Sequence, residues 1–137
     1  LLTNDERALA EHEVVRHFAI VDSLSSSIAD APSDVQLRLR RALDYYLVQE
    51  LDEAMRDLDL AVAEAPDMWV LYFVRAFVRY KQLEARHINE EDAEESLYPK
   101  YVSGLPDIDF RNVKDDLDKV VELMPDFAYA YFNRANV

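Results

Sequence analysis

Glu84, His87, Glu91 and Glu95 are spaced by three and four positions, the interval that brings side chains to one face of a helix. Together they could offer oxygen and nitrogen ligands to a metal ion. No second histidine stands near, and the surrounding run NEEDAEES is strongly acidic, so a solvated helix face is the expectation instead. His12, between Glu11 and Glu13, and His17 read likewise as helix-surface residues. The chain has no cysteine, hence no thiol nucleophile, disulfide or thiolate metal site. It also lacks a glycine-rich phosphate loop, a nucleophile elbow and a zinc-protease helix motif. Carboxylates are plentiful, but a general acid needs a buried or paired setting that their abundance does not supply. No enzyme, metal or cofactor is expected.

One other pattern has the spacing of an interaction. Arg-Ala occurs at 7 and 8, 41 and 42, 75 and 76, and 134 and 135, in steps of 34, 34 and 59. Asp57 follows Arg41 by 16 positions, and Asp116 follows Arg75 by 16 plus an inserted 25. Each arginine is predicted to pair with the aspartate of its own unit or a neighbouring one as a repeated strut, and an anion site is the alternative use of the same residues.

The elements that would hold such struts are helices. There is one glycine, Gly104, and there are five prolines, too few turn residues for an all-β chain. Half of the residues are hydrophobic, which argues against disorder throughout. The net charge of -13 opposes binding to phosphate backbones and anionic lipid surfaces. The densest apolar run, WVLYFV at 69–74, ends at Arg75 and is far too short to span a bilayer. No targeting segment is visible, although a chain starting Leu-Leu-Thr is also what a trimmed amino terminus would look like.

The period explains the layout. PDFAYAYFNRANV at 125–137 repeats PDMWVLYFVRAFV at 66–78, and DDLDKVVELMPD at 115–126 repeats RDLDLAVAEAPD at 56–67. Apolar residues at 51, 54, 58, 61 and 62 follow the spacing of an amphipathic helix. Each unit is therefore predicted to be two helices joined by a short turn. Pro32, Pro66 and Pro125 would end second helices. Asp67, Asp126 and either Ser33 or Asp34 would cap the next ones.

A helix-turn-helix unit of this period resembles the tetratricopeptide repeat. Ala42, Tyr45, Ala54, Leu58, Ala61 and Pro66 of the unit at 35–68 fall on that family's pattern, as do Tyr72, Ala76, Leu117, Val120 and Pro125 of the next. Arg38 departs where an aromatic or large apolar residue is usual, Arg79 where a large one is, and Val113 where alanine is. The resemblance covers residue 33 to the end. It implies an all-α, right-handed solenoid of antiparallel helix pairs, with repeat units at 33–68 and 69–127 and the first helix of a truncated unit at 128–137. Residues 1–32 are read either as a degenerate repeat or as one long helix followed by a Ser-rich break at SLSSS, 23–27. An acidic insertion around 82–106 interrupts the second unit. Within it NEEDAEES can extend a helix or form a separate one, and YPKYVSGLPD reads as irregular. This insertion serves either as cover for the groove or as a solvated loop.

The resemblance also implies that ligands lie across the first helices of the units. Carried over residue by residue, it names Leu39, Leu43 and Tyr46; Val70, Phe73, Val74, Phe77 and Tyr80; and Tyr129, Phe132 and Asn133. The Lys and Asn clamp with which family members grip a peptide carboxylate is missing, because its positions hold Leu39 with Leu43 and Phe73 with Phe77. The implied partner is an apolar or amphipathic peptide or protein surface. The alternative is a structural segment whose groove is filled by its own insertion, a neighbouring domain or a second copy of the chain. Phe127, Tyr131 and Val137 would be uncovered if the array stopped there, which offers a route to self-association and suggests an excerpt of a longer repeat protein.

Overall fold

A computed structural model describes residues 3–94, 106–127 and 129, with side chains at 3–86, 110–127 and 129. The described chain is all-α: α1 Asn4–Asp30, α2 Val35–Leu47, α3 Leu51–Glu64, α4 Trp69–Glu94 and α5 Pro106–Leu123. It divides into two compact units, residues 1–64 with α1 to α3 and residues 65–137 with α4 and α5.

In the first unit α1 packs on α2 and α2 on α3. Thr3 starts α1 with a reciprocal cap: its hydroxyl accepts from the Glu6 N–H at 3.1 Å, while its own N–H donates to the Glu6 carboxylate at 2.8 Å. Val21, Leu24 and Ile28 form the buried stripe of this helix, and residues 3–16 are exposed. The Ser-rich stretch at 23–27 is not a break. It stays helical, with the hydroxyls of Ser25, Ser26 and Ser27 donating to the carbonyls one helical turn earlier, at 2.7 to 3.3 Å, the way serine is accommodated inside helices; Leu24 and Ile28 on either side are buried. The interruption comes instead at 31–34, where Pro32 ends the run and Asp34 caps α2 by accepting from the N–H groups of Gln36 and Leu37.

Between α2 and α3 the chain turns at 48–50. The Glu50 N–H donates to the Tyr45 carbonyl and the Gln49 N–H to that of Tyr46, the pairing of a Schellman ending. It requires a left-handed residue, and Gln49 takes that place with φ of 65°. Ala42, Ala54, Leu58 and Ala61 have no exposed surface. Three of these four are alanines, and so short a side chain lets neighbouring helix backbones approach closely.

In the second unit α4 packs on α5, with Leu71, Tyr72, Ala76, Val78, Leu83 and Val120 buried. Asp67 does not cap α4. The helix begins at Trp69, so Met68 occupies the flanking position, and this methionine stands one period after the capping Asp34. Helix α5 ends at Leu123, two residues before Pro125, as α1 and α3 end two residues before Pro32 and Pro66. Pro125 also opens the next helical stretch, so Asp126 lies inside it and not at its cap, a placement suited to proline because the first helical N–H has no partner. Helix α4 runs on through NEEDAE to Glu94; the irregular reading of YPKYVSGLPD lies mostly outside the described residues.

Candidate functional site

Two of the recurrent arginines, Arg41 and Arg75, find their aspartates inside their own units, whereas Arg7 is exposed and makes no such pair among the described residues, and Arg134 lies outside them. Arg41 of α2 donates from Nε and one terminal nitrogen to the two carboxylate oxygens of Asp57 on α3, at 2.7 and 2.6 Å. Arg75 of α4 grips Asp116 of α5 the same way, at 2.9 and 2.7 Å. Asp57 and Asp116 are only 2% and 4% exposed, while the arginine side chains are half-buried, so these are bidentate, charge-assisted pairs with buried carboxylates. The pairs clasp α2 to α3 and α4 to α5. The anion-site alternative is thereby answered, because the anion each guanidinium holds is the protein's own.

The first clasp carries further groups. The third guanidinium nitrogen of Arg41 donates to Ser25 Oγ at 3.0 Å, and that hydroxyl donates to the Val21 carbonyl, tying α1 into the network. Arg38 adds a longer contact to Asp57 at 3.6 Å. The bond to Asp57 raises the Arg41 pKa above its ordinary value despite burial. Burial also raises that of the Tyr45 phenol, with Arg41 pulling in the opposite direction. The Arg41 guanidinium lies 5.7 Å from the Tyr45 ring centre, and Arg75 stands at the same distance from Tyr72.

The departure at Arg38 is a chemical substitution. The Tyr72 hydroxyl donates to the Pro66 carbonyl at 2.6 Å. One period earlier, Arg38 donates from two nitrogens to the Pro32 carbonyl at 3.2 and 2.9 Å. Both side chains satisfy an inter-helix proline carbonyl that has lost its helical partner, and only the donor differs. His17 is not an ordinary surface residue either: its Nδ1 lies 2.9 Å from an Asp44 carboxylate oxygen, linking α1 to α2 in a half-buried setting. Neither Ser25 nor His17 carried a signal beyond its type, since a helix is full of such residues.

The residues expected to line a ligand surface divide between the units. On α2, Leu39 and Tyr46 are half-buried and Leu43 is exposed, joined by exposed Leu47 a turn further on. On α4, Val70, Phe73 and Val74 are half-buried while Phe77 and Tyr80 are exposed. Leu43 and Phe77 stand one period apart and are 43% and 44% exposed, so the repeat places an open apolar side chain at the same register of both helices. The Lys81 ammonium lies 5.7 Å from the Phe77 ring centre and 3.5 Å from the Glu84 carboxylate. Phe127 is half-buried, its ring 4.5 Å from Trp69 and 5.7 Å from Phe73 between centres. Tyr129 is exposed. Phe132 and Asn133, with Tyr131 and Val137, lie outside the described residues.

Among the described residues no group of three or more His, Asp or Glu side chains could hold a metal ion. Of the four at 84–95, only the Glu84 side chain is described. No helix among the described residues is long and apolar enough to cross a membrane. Comparison with protein-family models, with curated proteins and with solved structures gave no match.

Proposed function

We propose that this chain is a tetratricopeptide-type repeat segment, a right-handed solenoid of helix pairs that binds an apolar or amphipathic peptide or protein surface and performs no chemistry of its own. The observation that carries the reading is the matched exposure of Leu43 and Phe77 one period apart on the first helices of their units. A lone exposed apolar residue is ordinary, but exposed Leu43 with Leu47 on α2 and exposed Phe77 with Tyr80 on α4 group such residues within each unit, and grouped apolar exposure is what supports an interaction surface. Tyr46 and Tyr80, just under one turn further along each helix, supply the aromatic type that contributes most to binding energy at interfaces. The clasps hold each helix pair rigid, so that the surface is presented without reordering.

The test is selection from a displayed peptide library on the whole chain, followed by affinity measurement against Leu43→Glu and Phe77→Glu. Both positions are exposed, so folding is expected to survive and the affinity of the selected peptides to fall about tenfold or more. Enriched peptides indifferent to both changes, or no enrichment at all, would overturn the reading.

A further inference from the structure

Helix α1 has a second apolar surface that its packing on α2 does not use. Val14, Val15 and Phe18 are 41%, 66% and 40% exposed. By the helical period, Val15 and Phe18 share a side turned away from the buried stripe of Val21, Leu24 and Ile28, while Val14, two turns before Val21, continues the line of that stripe. Glu11 and Asp22 continue the same side, one helical turn before Val15 and one after Phe18, and both are exposed. Neither carboxylate has an ion-pair or hydrogen-bond partner for its side chain among the described residues. Arg7 stands a further turn toward the amino end, beyond the bracket. The surface is thus an apolar centre between two unpaired negative charges.

We infer that this side of α1 docks a partner helix whose apolar seam is flanked by lysine or arginine. The charges decide among occupants. A second copy would bring its own Glu11 and Asp22, and a net charge of -13, against the same charges. An anionic membrane is repelled in the same way. A basic amphipathic helix meets both carboxylates with opposite charge while covering Val15 and Phe18, the arrangement that steers and aligns protein partners. The face belongs to α1 and is separate from the surfaces on α2 and α4, so the inference does not rest on the function proposed for those.

The experiment uses the whole chain and two fluorescently labelled synthetic helical peptides of roughly 15 residues, identical in their leucine seam, one flanked by lysines and the other by glutamates. Anisotropy titrations run between roughly 50 and 300 mM salt. The lysine peptide is expected to bind, to weaken several-fold with salt, and to lose about tenfold in affinity to Glu11→Gln/Asp22→Asn. That variant removes two of thirteen excess negative charges, so diffuse attraction to an acidic surface would scarcely respond to it. Val15→Ser/Phe18→Ser is expected to abolish binding with helicity intact by circular dichroism, all four positions being exposed. Equal binding of the two peptides, binding indifferent to both variants, or no binding overturns the inference. So does a concentration-dependent dimer lost in Val15→Ser/Phe18→Ser, which would make a second copy the occupant.

Discussion

Arg41 and Asp57 are joined by two parallel hydrogen bonds across a sequence separation of 16, and Arg75 with Asp116 repeats the arrangement across 41. A pair with a buried carboxylate is costly to break and cheap to replace, since removing Arg41 leaves Asp57 with only the longer Arg38 contact while removing both leaves apolar packing. Arg41→Leu is therefore expected to lose about 3 kcal/mol of stability. Arg41→Leu/Asp57→Leu should return to within about 1 kcal/mol of the original chain. Urea denaturation of the three proteins checks the cycle. A single substitution without loss would mean that the clasp contributes specificity and not stability.

The proline carbonyls give a milder test. Tyr72→Phe keeps the ring and removes only the hydroxyl that meets Pro66, and about 1 kcal/mol is expected to go with it. Thermal unfolding is sufficient to detect this. An unchanged midpoint would show that water satisfies the carbonyl equally well.

Gln49 points to a stabilising change. A left-handed backbone costs a side-chain-bearing residue roughly 1 kcal/mol relative to glycine, and the turn between α2 and α3 holds Gln49 there. Gln49→Gly is expected to gain roughly 0.5 kcal/mol, part of the relief being returned as greater freedom of the unfolded chain. A fall in the denaturation midpoint would show that the glutamine side chain matters more than the turn.

Tyr45 sets an alkaline limit. Its phenol keeps its proton to higher pH in the folded chain than in the unfolded one, because burial disfavours the phenolate. Above about pH 10 the unfolded chain therefore binds fewer protons than the native chain, and stability declines as pH rises. Tyr45→Phe should flatten part of that decline between roughly pH 9 and 11, measured as the difference between paired denaturation curves. The difference is needed because seven other tyrosines also titrate. Parallel curves would show that Tyr45 ionises as freely when folded.

How far the sequence could be read depended on whether a residue acts through its spacing or its surroundings. The pairing of Arg41 with Asp57 could be read because the same two residue types return as Arg75 and Asp116 at that spacing plus the inserted 25, and a repeated pattern survives without coordinates. The fate of SLSSS depended on the burial of Leu24 and Ile28 around it, which residue type alone leaves open. Asp67 failed as a cap because the helix start followed the position of Asp34, whose counterpart is Met68. The Schellman ending was invisible because the expected glycine is a glutamine. Leu43, Phe77 and Tyr80 could be named from the period, yet their exposure is a property of the packed helices, as is the half-burial of Phe73 against Phe127.

The different lengths enclosed by the two clasps also set an order of folding. Bringing ends together costs entropy that grows with the logarithm of the enclosed length, so joining Arg75 to Asp116 costs about 0.8 kcal/mol more than joining Arg41 to Asp57. Contacts that are closer in sequence form sooner. Helices α2 and α3 are therefore expected to pair before α4 and α5. Trp69, the only tryptophan, packs on Phe127 in the second unit, so its fluorescence during refolding reports the arrival of the slower partner, after most of the helical signal has already appeared.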